Sequence, residues 1–301
     1  MCCKKNQPLN LNSSETTREA PFLKKQNFCF SFYFENYQPE HLKTKDIKFL
    51  EWFIGFSEGD GCFLITGSKT NCSFIINQKD ISLLYKIRTR LGFGKVTTYV
   101  QEGQMYGRYS VHSQKDCLRL AYLFNGNLIL NKTNKRFIKW LKVLSVLPLK
   151  TIGSVSFNNG WLSGFIEAEG SFHARIRLRK TFKTGRQLIY KFSLNQAGEF
   201  ALLSEILQLL NSKSKVYPIT NNNKTKQLYY GISVQSFESN NILLNYLDLY
   251  PFLGKKTIAI NLYRRINVYI KKKKHLTNDG LNEMLKFCNQ LKKHNLKEIQ
   301  K

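Results

Sequence analysis

With 301 residues the chain is long enough for two modest hydrophobic cores, or for one divided by an internal symmetry. Lysine and arginine number 47 against 20 acidic residues, a formal charge of +27 that implies a polyanionic partner, nucleic acid before any other. The seven cysteines contain no C-x-x-C pair, the five histidines are scattered and no stretch is apolar enough to span a bilayer, which excludes a disulfide framework, a zinc site and a membrane anchor as organising features.

Residues 1–44 form an N-terminal extension. Glu15, Glu19 and Glu35 argue against an ordinary transit peptide, and the alternation of Phe28, Phe30, Phe32 and Phe34 predicts an arm or strand packed on the body. From residue 45, Ile47, Leu50, Phe53, Ile54 and Ser57 recur at helical spacing. That helix carries the stretch Trp52-Phe53-Ile54-Gly55-Phe56-Ser57-Glu58-Gly59-Asp60-Gly61-Cys62-Phe63. A second copy runs Trp161-Leu162-Ser163-Gly164-Phe165-Ile166-Glu167-Ala168-Glu169-Gly170-Ser171-Phe172, with an acid at the same ninth place.

Each copy holds a small-xxx-small pair, Gly55 with Gly59 and Gly164 with Ala168, which leaves a flat stripe where two helices can bring their backbones close. Glycine in a helix costs roughly 0.5–1 kcal/mol against alanine, so two in one helix imply such a close approach. Gly61 and Gly170 fall where a helix-ending glycine belongs. Glu58, Asp60, Glu167 and Glu169 then stand at helix C-termini, where the macrodipole already concentrates negative charge. Gathering them would be unfavourable alone and favourable around hard divalent cations. The duplicated context makes Asp60 and Glu169 the metal-binding pair, while Glu58 and Glu167 stay open between that cluster and the ordinary roles of facing solvent or capping neighbouring groups.

After the first motif, residues 63–68 and 73–78 read as paired strands, and residues 81–91 as a helix with Asp80 at its N-cap. Residues 95–100 and 106–112 form a second hairpin through Gln101-Glu102-Gly103, and residues 116–124 and 132–146 read as helices. The first unit therefore spans 45–146 and is followed by a connector, 147–160, in which Pro148, Gly153 and Asn158-Asn159-Gly160 break the periodicity. The second unit, 161–270, repeats the order: strands 171–180 and 188–196, helix 200–210, strands 215–220 and 228–235, helix 241–249. Matched pairs such as Asn77-Gln78 with Asn195-Gln196 and Ser110-Val111 with Ser233-Val234 keep the register. Residues 271–301 add a lysine run, 271–274, and a helix in which Leu281, Leu285, Cys288 and Leu291 share a face.

His173, Arg175, Arg177 and Arg179 alternate with Phe172, Ala174, Ile176 and Leu178, which in a strand separates a basic face from an apolar one. Such a face suits a nucleic-acid groove, where arginine bonds guanine edges or phosphates. By motif register the first-half equivalents are Leu64, Thr66 and Ser68. Extending the alternation adds Asn71, Ser73, Ile75 and Asn77, then Lys191, Ser193 and Asn195. The second hairpins add Lys95, Thr97, Tyr99, Arg108 and Ser110, with Lys215, Tyr217 and Ile232 in the other half. The two faces differ in composition and should read unlike half-sites.

The two motif copies, with the strands that follow them, resemble the LAGLIDADG homing endonucleases in their single-chain, two-motif form. The resemblance covers most of residues 45–265 and implies an α+β fold of two pseudo-symmetric αββαββα units. In that fold the motif helices pack at the central interface and two antiparallel sheets form a saddle for double-stranded DNA. It implies a monomeric, metal-dependent endodeoxyribonuclease that cuts a long asymmetric site and promotes intron mobility, using two or more Mg2+ ions, with Mn2+ able to substitute. It also implies that the carbonyls of Gly59 and Ala168 join Asp60 and Glu169 as ligands, and that Gln78 and Gln196 order water near the phosphate. For the basic active-site residue, aligning the halves through Tyr122 and Tyr246 pairs Lys132 with Lys256, with Lys255 an equally close alternative. Some relatives act instead as maturases on intron RNA. Richness in Lys, Asn, Ile, Phe and Tyr fits an AT-rich, organelle-encoded gene expressed in a mitochondrion or chloroplast.

Overall fold

The structure, a computed structural model, describes residues 28–37, 39–41, 44–67, 71–219 and 228–299. A short helix α1 (Ser31–Asn36) leads into α2 (Ile47–Asp60), β1 (Gly61–Thr66), β2 (Asn71–Gln78), α3 (Ile81–Leu91), β3 (Lys95–Gln101), β4 (Gln104–Val111), α4 (Gln114–Phe124) and α5 (Asn131–Val143). The second half follows with α6 (Trp161–Glu169), β5 (Ser171–Leu178), β6 (Arg186–Ala197), α7 (Phe200–Leu209), β7 (Tyr217–Ile219), β8 (Tyr229–Val234), α8 (Phe237–Leu249) and α9 (Lys256–Lys271). A final helix, α10 (Asn278–Ile299), ends the described chain. The halves form one four-stranded antiparallel sheet each, ordered β1-β2-β4-β3 and β5-β6-β8-β7. The fold is α+β in two pseudo-symmetric halves.

Local chemistry starts these helices where the polar caps fall. Asp46 accepts from Phe49 N, Asp80 from Leu83 N, Ser113 from Asp116 N and Ser236 from Ser239 N. The turn from β3 to β4 puts Glu102 at φ +50 and Gly103 at φ +73, the paired positive values that a tight hairpin needs. Each sheet buries one face under helices. Phe63, Phe74, Ile76, Tyr109 and Val111 do so in the first half; Phe172, Phe192, Leu194, Ile232 and Val234 do so in the second. Phe63 meets the rings of Phe74, Phe124, Phe137 and Trp140, so one aromatic cluster locks β1 and β2 to α4 and α5.

The halves join through α2 and α6. A Cβ placed on Gly55 would overlap the Trp161 carbonyl and come within 2.9 Å of Phe165 N. One placed on Gly164 would overlap the Trp52 carbonyl and come within 2.8 Å of Phe56 N. These two glycines therefore let the helix backbones touch, in pseudo-symmetric fashion.

Three expectations change and two become more specific. Gly61 (φ −84) and Gly170 (φ −75) do end α2 and α6, as extended rather than left-handed caps. Glycine is needed at Gly61 because a Cβ would press on Ser57 O at 2.5 Å and the Phe74 ring at 2.9 Å. The alternating phenylalanines belong to an arm packed on the body rather than to a strand: Phe28 and Phe30 are buried just before α1, which packs on α4. Ile232 pairs with Leu194 and is fully buried, so it lies on the helix-covered face; Gly231 and Ser233 hold the positions equivalent to Arg108 and Ser110. Leu285 is 39 % exposed, and Met284 takes its place in the core of α10 beside Leu281, Cys288 and Leu291. Lys215 precedes β7 rather than lying in it.

Candidate active site

The tips of α2 and α6 lie side by side. A Cβ on Gly59 would collide with Ala168 Cβ and sit 3.1 Å from Glu169 Cγ and 3.6 Å from Glu169 Oε1. Asp60 and Glu169 end their helices here, both half-buried. Gln78 follows Phe74 and Ile76 in parity, so at the end of β2 it leans toward the helix side and donates from Nε2 to Asp60 Oδ2 at 2.5 Å. Gln196 occupies the same place on β6, where its Oε1 accepts from Ala197 N at 3.0 Å. A cavity of about 410 Å³ opens at the tips, lined by Asp60, Gln78, Ala168, Ser171, Lys256 and His294 among others.

Lys256 starts α9 and aims its ammonium at the C-terminal end of α6, donating to Gly170 O at 2.9 Å, Ile166 O at 3.3 Å and Ala168 O at 3.4 Å. A cation thus already lies against the carbonyls that the helix dipole makes negative. Among the described residues no group of three or more His, Cys, Asp or Glu side chains could hold a metal. Two carboxylates, helix-end carbonyls and a substrate phosphate are nonetheless the donor set that suits Mg2+, which keeps several waters and rarely takes an all-protein cage. The residues present fit that ion. Lys132 is exposed on the first turn of α5; Lys255 donates from its backbone N to Asp80 at 2.7 Å and its ammonium lies 4.0 Å from the same carboxylate.

Glu58 and Glu167, left open by the sequence, resolve as structural ties. Glu58 accepts from Ile129 N, Leu130 N and the Trp161 indole at 2.6–3.1 Å. Glu167 accepts from Leu253 N, Gly254 N and the Trp52 indole at 2.6–2.9 Å. Each buried acid binds the other half's tryptophan to the loop that opens its own unit's last helix. The same pairing of Leu130 with Gly254 sets Lys132 opposite Lys256 in the internal repeat.

Burial pushes Glu58 up to about 7 from 4.5, against the opposing pull of the Leu130, Ile129 and Trp161 donors; burial raises Glu167 and Glu51 as well. A folded pKa above the unfolded value gives stability that is complete below about 4.5 and is lost as pH rises through about 7. The melting temperature is therefore expected to fall across that window, and Glu58→Gln should flatten the fall; calorimetry at stepped pH checks it.

The face of each sheet away from the helices carries the polar set. In the first half Leu64 pairs with Ser73, Thr66 with Asn71, Asn77 with Arg108, and Arg108 in turn with Thr97. Ser110 pairs with Lys95 and with Ile75, and Tyr99 with Tyr106, so all eleven described positions expected there share one face. Ser73 and Ser110 are buried on it, and Ser68 lies outside the described residues. In the second half His173 pairs with Lys191, Arg175 with Ile189 and Arg177 with Gln187, while Ser193, Asn195 and Tyr217 continue the same face through Ser233 and Gly231. Arg177 and Arg179 both donate to Gln187 Oε1, at 2.9–3.0 Å, which holds two guanidinium groups side by side. Burial, then Lys191 and Arg175, lower the pKa of His173. Lys215 is exposed at the approach to β7.

The sequence model of the LAGLIDADG endonuclease family matches residues 53–144 and 162–267. The chain belongs to the LAGLIDADG endonuclease family. Among curated relatives it is similar to probable intron-encoded endonuclease 4 of Neurospora crassa, 28% identical over 271 residues, 84% of this chain and 46% of that protein. An uncharacterized cox1 intron-2 protein of Schizosaccharomyces pombe is 29% identical over 289 residues, 92% of this chain and 81% of that one. A shorter match, 29% over 134 residues, is to the intron-encoded RNA maturase bI4 of Saccharomyces cerevisiae, 44% of this chain and 20% of that protein. The chain spans less than half the length of the first two of its curated relatives, 46% and 34%. Among solved structures it shares its fold with the meganuclease I-SmaMI bound to uncleaved DNA in the presence of calcium ions. There the TM-score is 0.62 at 19% identity, covering 81% of this chain and 98% of that one. The same meganuclease was also solved with one lysine, and with two, changed to alanine.

The family pattern does not extend to the contribution of α10. His294 and Asn295 reach the cavity from a helix outside both matched segments, and only the apolar stripe of that helix is visible in sequence.

Proposed function

We propose that the protein is a site-specific, divalent-metal-dependent double-strand DNA endonuclease that acts as a monomer and promotes mobility of its host intron. The observation that carries this is the meeting of Asp60 and Glu169 at abutting helix tips, one acid from each half, between two polar sheet faces. Asp60 and Glu169, with the carbonyls of Gly59 and Ala168, would hold Mg2+ or Mn2+. When bound, such ions polarise the phosphate and lower the pKa of bound water. Gln78 orients the Asp60 carboxylate, and Gln196 serves the second strand from the matching position. Lys256 offers positive charge for the phosphate oxygens, with Lys132 as its pseudo-symmetric partner.

The two polar faces would straddle the major groove, where Arg175, Arg177 and Arg179 read or grip one half-site and Thr66, Asn77, Thr97 and Arg108 the other. Because the faces are unlike, the target is asymmetric. Relatives encoded in introns, one of them in cox1, support an organelle gene and a mitochondrial setting.

The test is incubation with an intronless duplex that joins the two exon sequences flanking the host intron. Magnesium-dependent cutting of both strands is expected. Binding without cutting, together with stimulated splicing of the intron RNA, would favour the maturase activity carried by one relative's name. Affinity is expected to fall steeply with salt, the slope reporting on the order of 6–10 neutralised phosphates, as a filter-binding titration would measure.

A further inference from the structure

We propose that Asp80, on the turn between β2 and α3, is a positioning residue that holds Lys256 against the tip of α6, so that the first half sets the basic group of the second half's cleavage centre. This rests on the nuclease reading above.

Asp80 lies two residues beyond Gln78, and its carboxylate serves both halves at once. Oδ1 faces its own helix, accepting from Ser82 Oγ at 2.6 Å and from Leu83 N at 3.4 Å. Oδ2 reaches across the interface and accepts from Lys255 N at 2.7 Å, where the chain enters α9. Only 11 % of the Asp80 side chain is exposed, so water competes poorly for that bond. Lys86, further along α3, adds a second tie by donating from Nζ to Leu253 O at 2.7 Å. From the other side Glu167 accepts from Leu253 N and Gly254 N. A Cβ on Gly254 would lie 2.9 Å from both Asp80 Oδ2 and Glu167 Oε1, so the turn at 253–255 is gripped between an acid from each half.

Lys256 comes next in the chain. The bond at Lys255 N fixes the direction in which it leaves the turn, and its ammonium reaches Gly170 O, Ile166 O and Ala168 O, the carbonyls that end the helix carrying Glu169. Asp80, Lys255 and Lys256 all line the cavity that holds Asp60 and Gln78. A shift of the turn would therefore move the ammonium within the cleavage centre, although Asp80 itself need touch no substrate. The internal repeat lacks the return tie. Glu199 precedes α7 as Asp80 precedes α3, yet among the described residues no N–H of the loop before α5 donates to it. Ile129 N and Leu130 N go to Glu58 instead, and Lys132 is exposed. The two basic groups are thus held differently, and Asp80 accounts for the difference.

The experiment uses the full chain as wild type, Asp80→Ser and Asp80→Asn. Each variant keeps one oxygen to cap α3 and loses the second, which faces Lys255 N. In the metal-free protein without DNA, brief acetylation followed by mass spectrometry compares Lys256 with the exposed Lys132. The ratio of Lys256 to Lys132 modification is expected to rise by roughly 10-fold in both variants, the value of one hydrogen bond to a charged group. With magnesium and the intronless duplex, each strand labelled differently, the ratio of the two single-turnover rates is expected to shift by a similar factor and nicked product to accumulate. Both ratios are internal to each molecule, so partial unfolding of a variant cancels from them. An unchanged Lys256 to Lys132 ratio overturns the assignment. Faster modification of Lys256 with an unchanged ratio of strand rates also overturns it, because its placement would then not govern cutting. A wild-type protein that cuts neither strand overturns the nuclease reading itself, while the acetylation result still reports whether Asp80 holds Lys256.

Discussion

Asp60→Asn is expected to lower cleavage by more than about 100-fold, beyond the 10- to 100-fold typical of losing a group that merely supports a metal ligand. The change keeps shape and the contact with Gln78 but removes the charge that makes a helix C-terminus hold a cation. Glu169→Gln should act likewise, with Gly59 and Ala168 left packed as before. DNA affinity should survive in both, because the sheet faces are untouched. Single-turnover cleavage beside a binding titration separates the two effects, and a variant that binds normally and still cuts at the wild-type rate would remove that acid from the mechanism.

Gly55→Ala or Gly164→Ala should be the most destabilising of small substitutions, by roughly 3 kcal/mol or more. The added methyl meets backbone, the Trp161 or Trp52 carbonyl, rather than a side chain that can swing away. Relief requires the helices to separate, which would also stretch the bonds from Trp161 to Glu58 and from Trp52 to Glu167. Urea denaturation would show the loss, and activity should fall with it, since the same separation parts Asp60 from Glu169. An alanine variant as stable as wild type would mean that the helix backbones do not touch in solution.

The parts legible in the sequence are those where chemistry recurs at a fixed period. Two motif copies placed the helices and their acids, and strand alternation put Leu64, Thr66, Asn77 and Arg108 on one face and His173, Arg175 and Arg177 on the other half's face. Ile232 shows how narrow that signal is: a one-residue slip moves a side chain through the sheet, from the groove to the core. Glu58 and Glu167 show what periodicity cannot supply. Their partners, loop N–H groups and the tryptophan of the opposite helix, are 71 to 115 residues away in the chain, and only the assembled fold brings them together. Leu285 and Met284 are adjacent apolar residues, and which one faces the core depends on which side of α10 packs on β5 and α9. The same dependence on packing hid the approach of His294 to the cavity.

Two acids, one from each half, are expected to hold divalent metal jointly where DNA is cut. Anomalous scattering from manganese in crystals of the protein with its joined flanking sequence tests it most directly. The account predicts manganese at the α2–α6 tips, in contact with both the Asp60 and the Glu169 carboxylates and with the DNA phosphates. Duplex seated on the two sheets with no manganese at either carboxylate would contradict it.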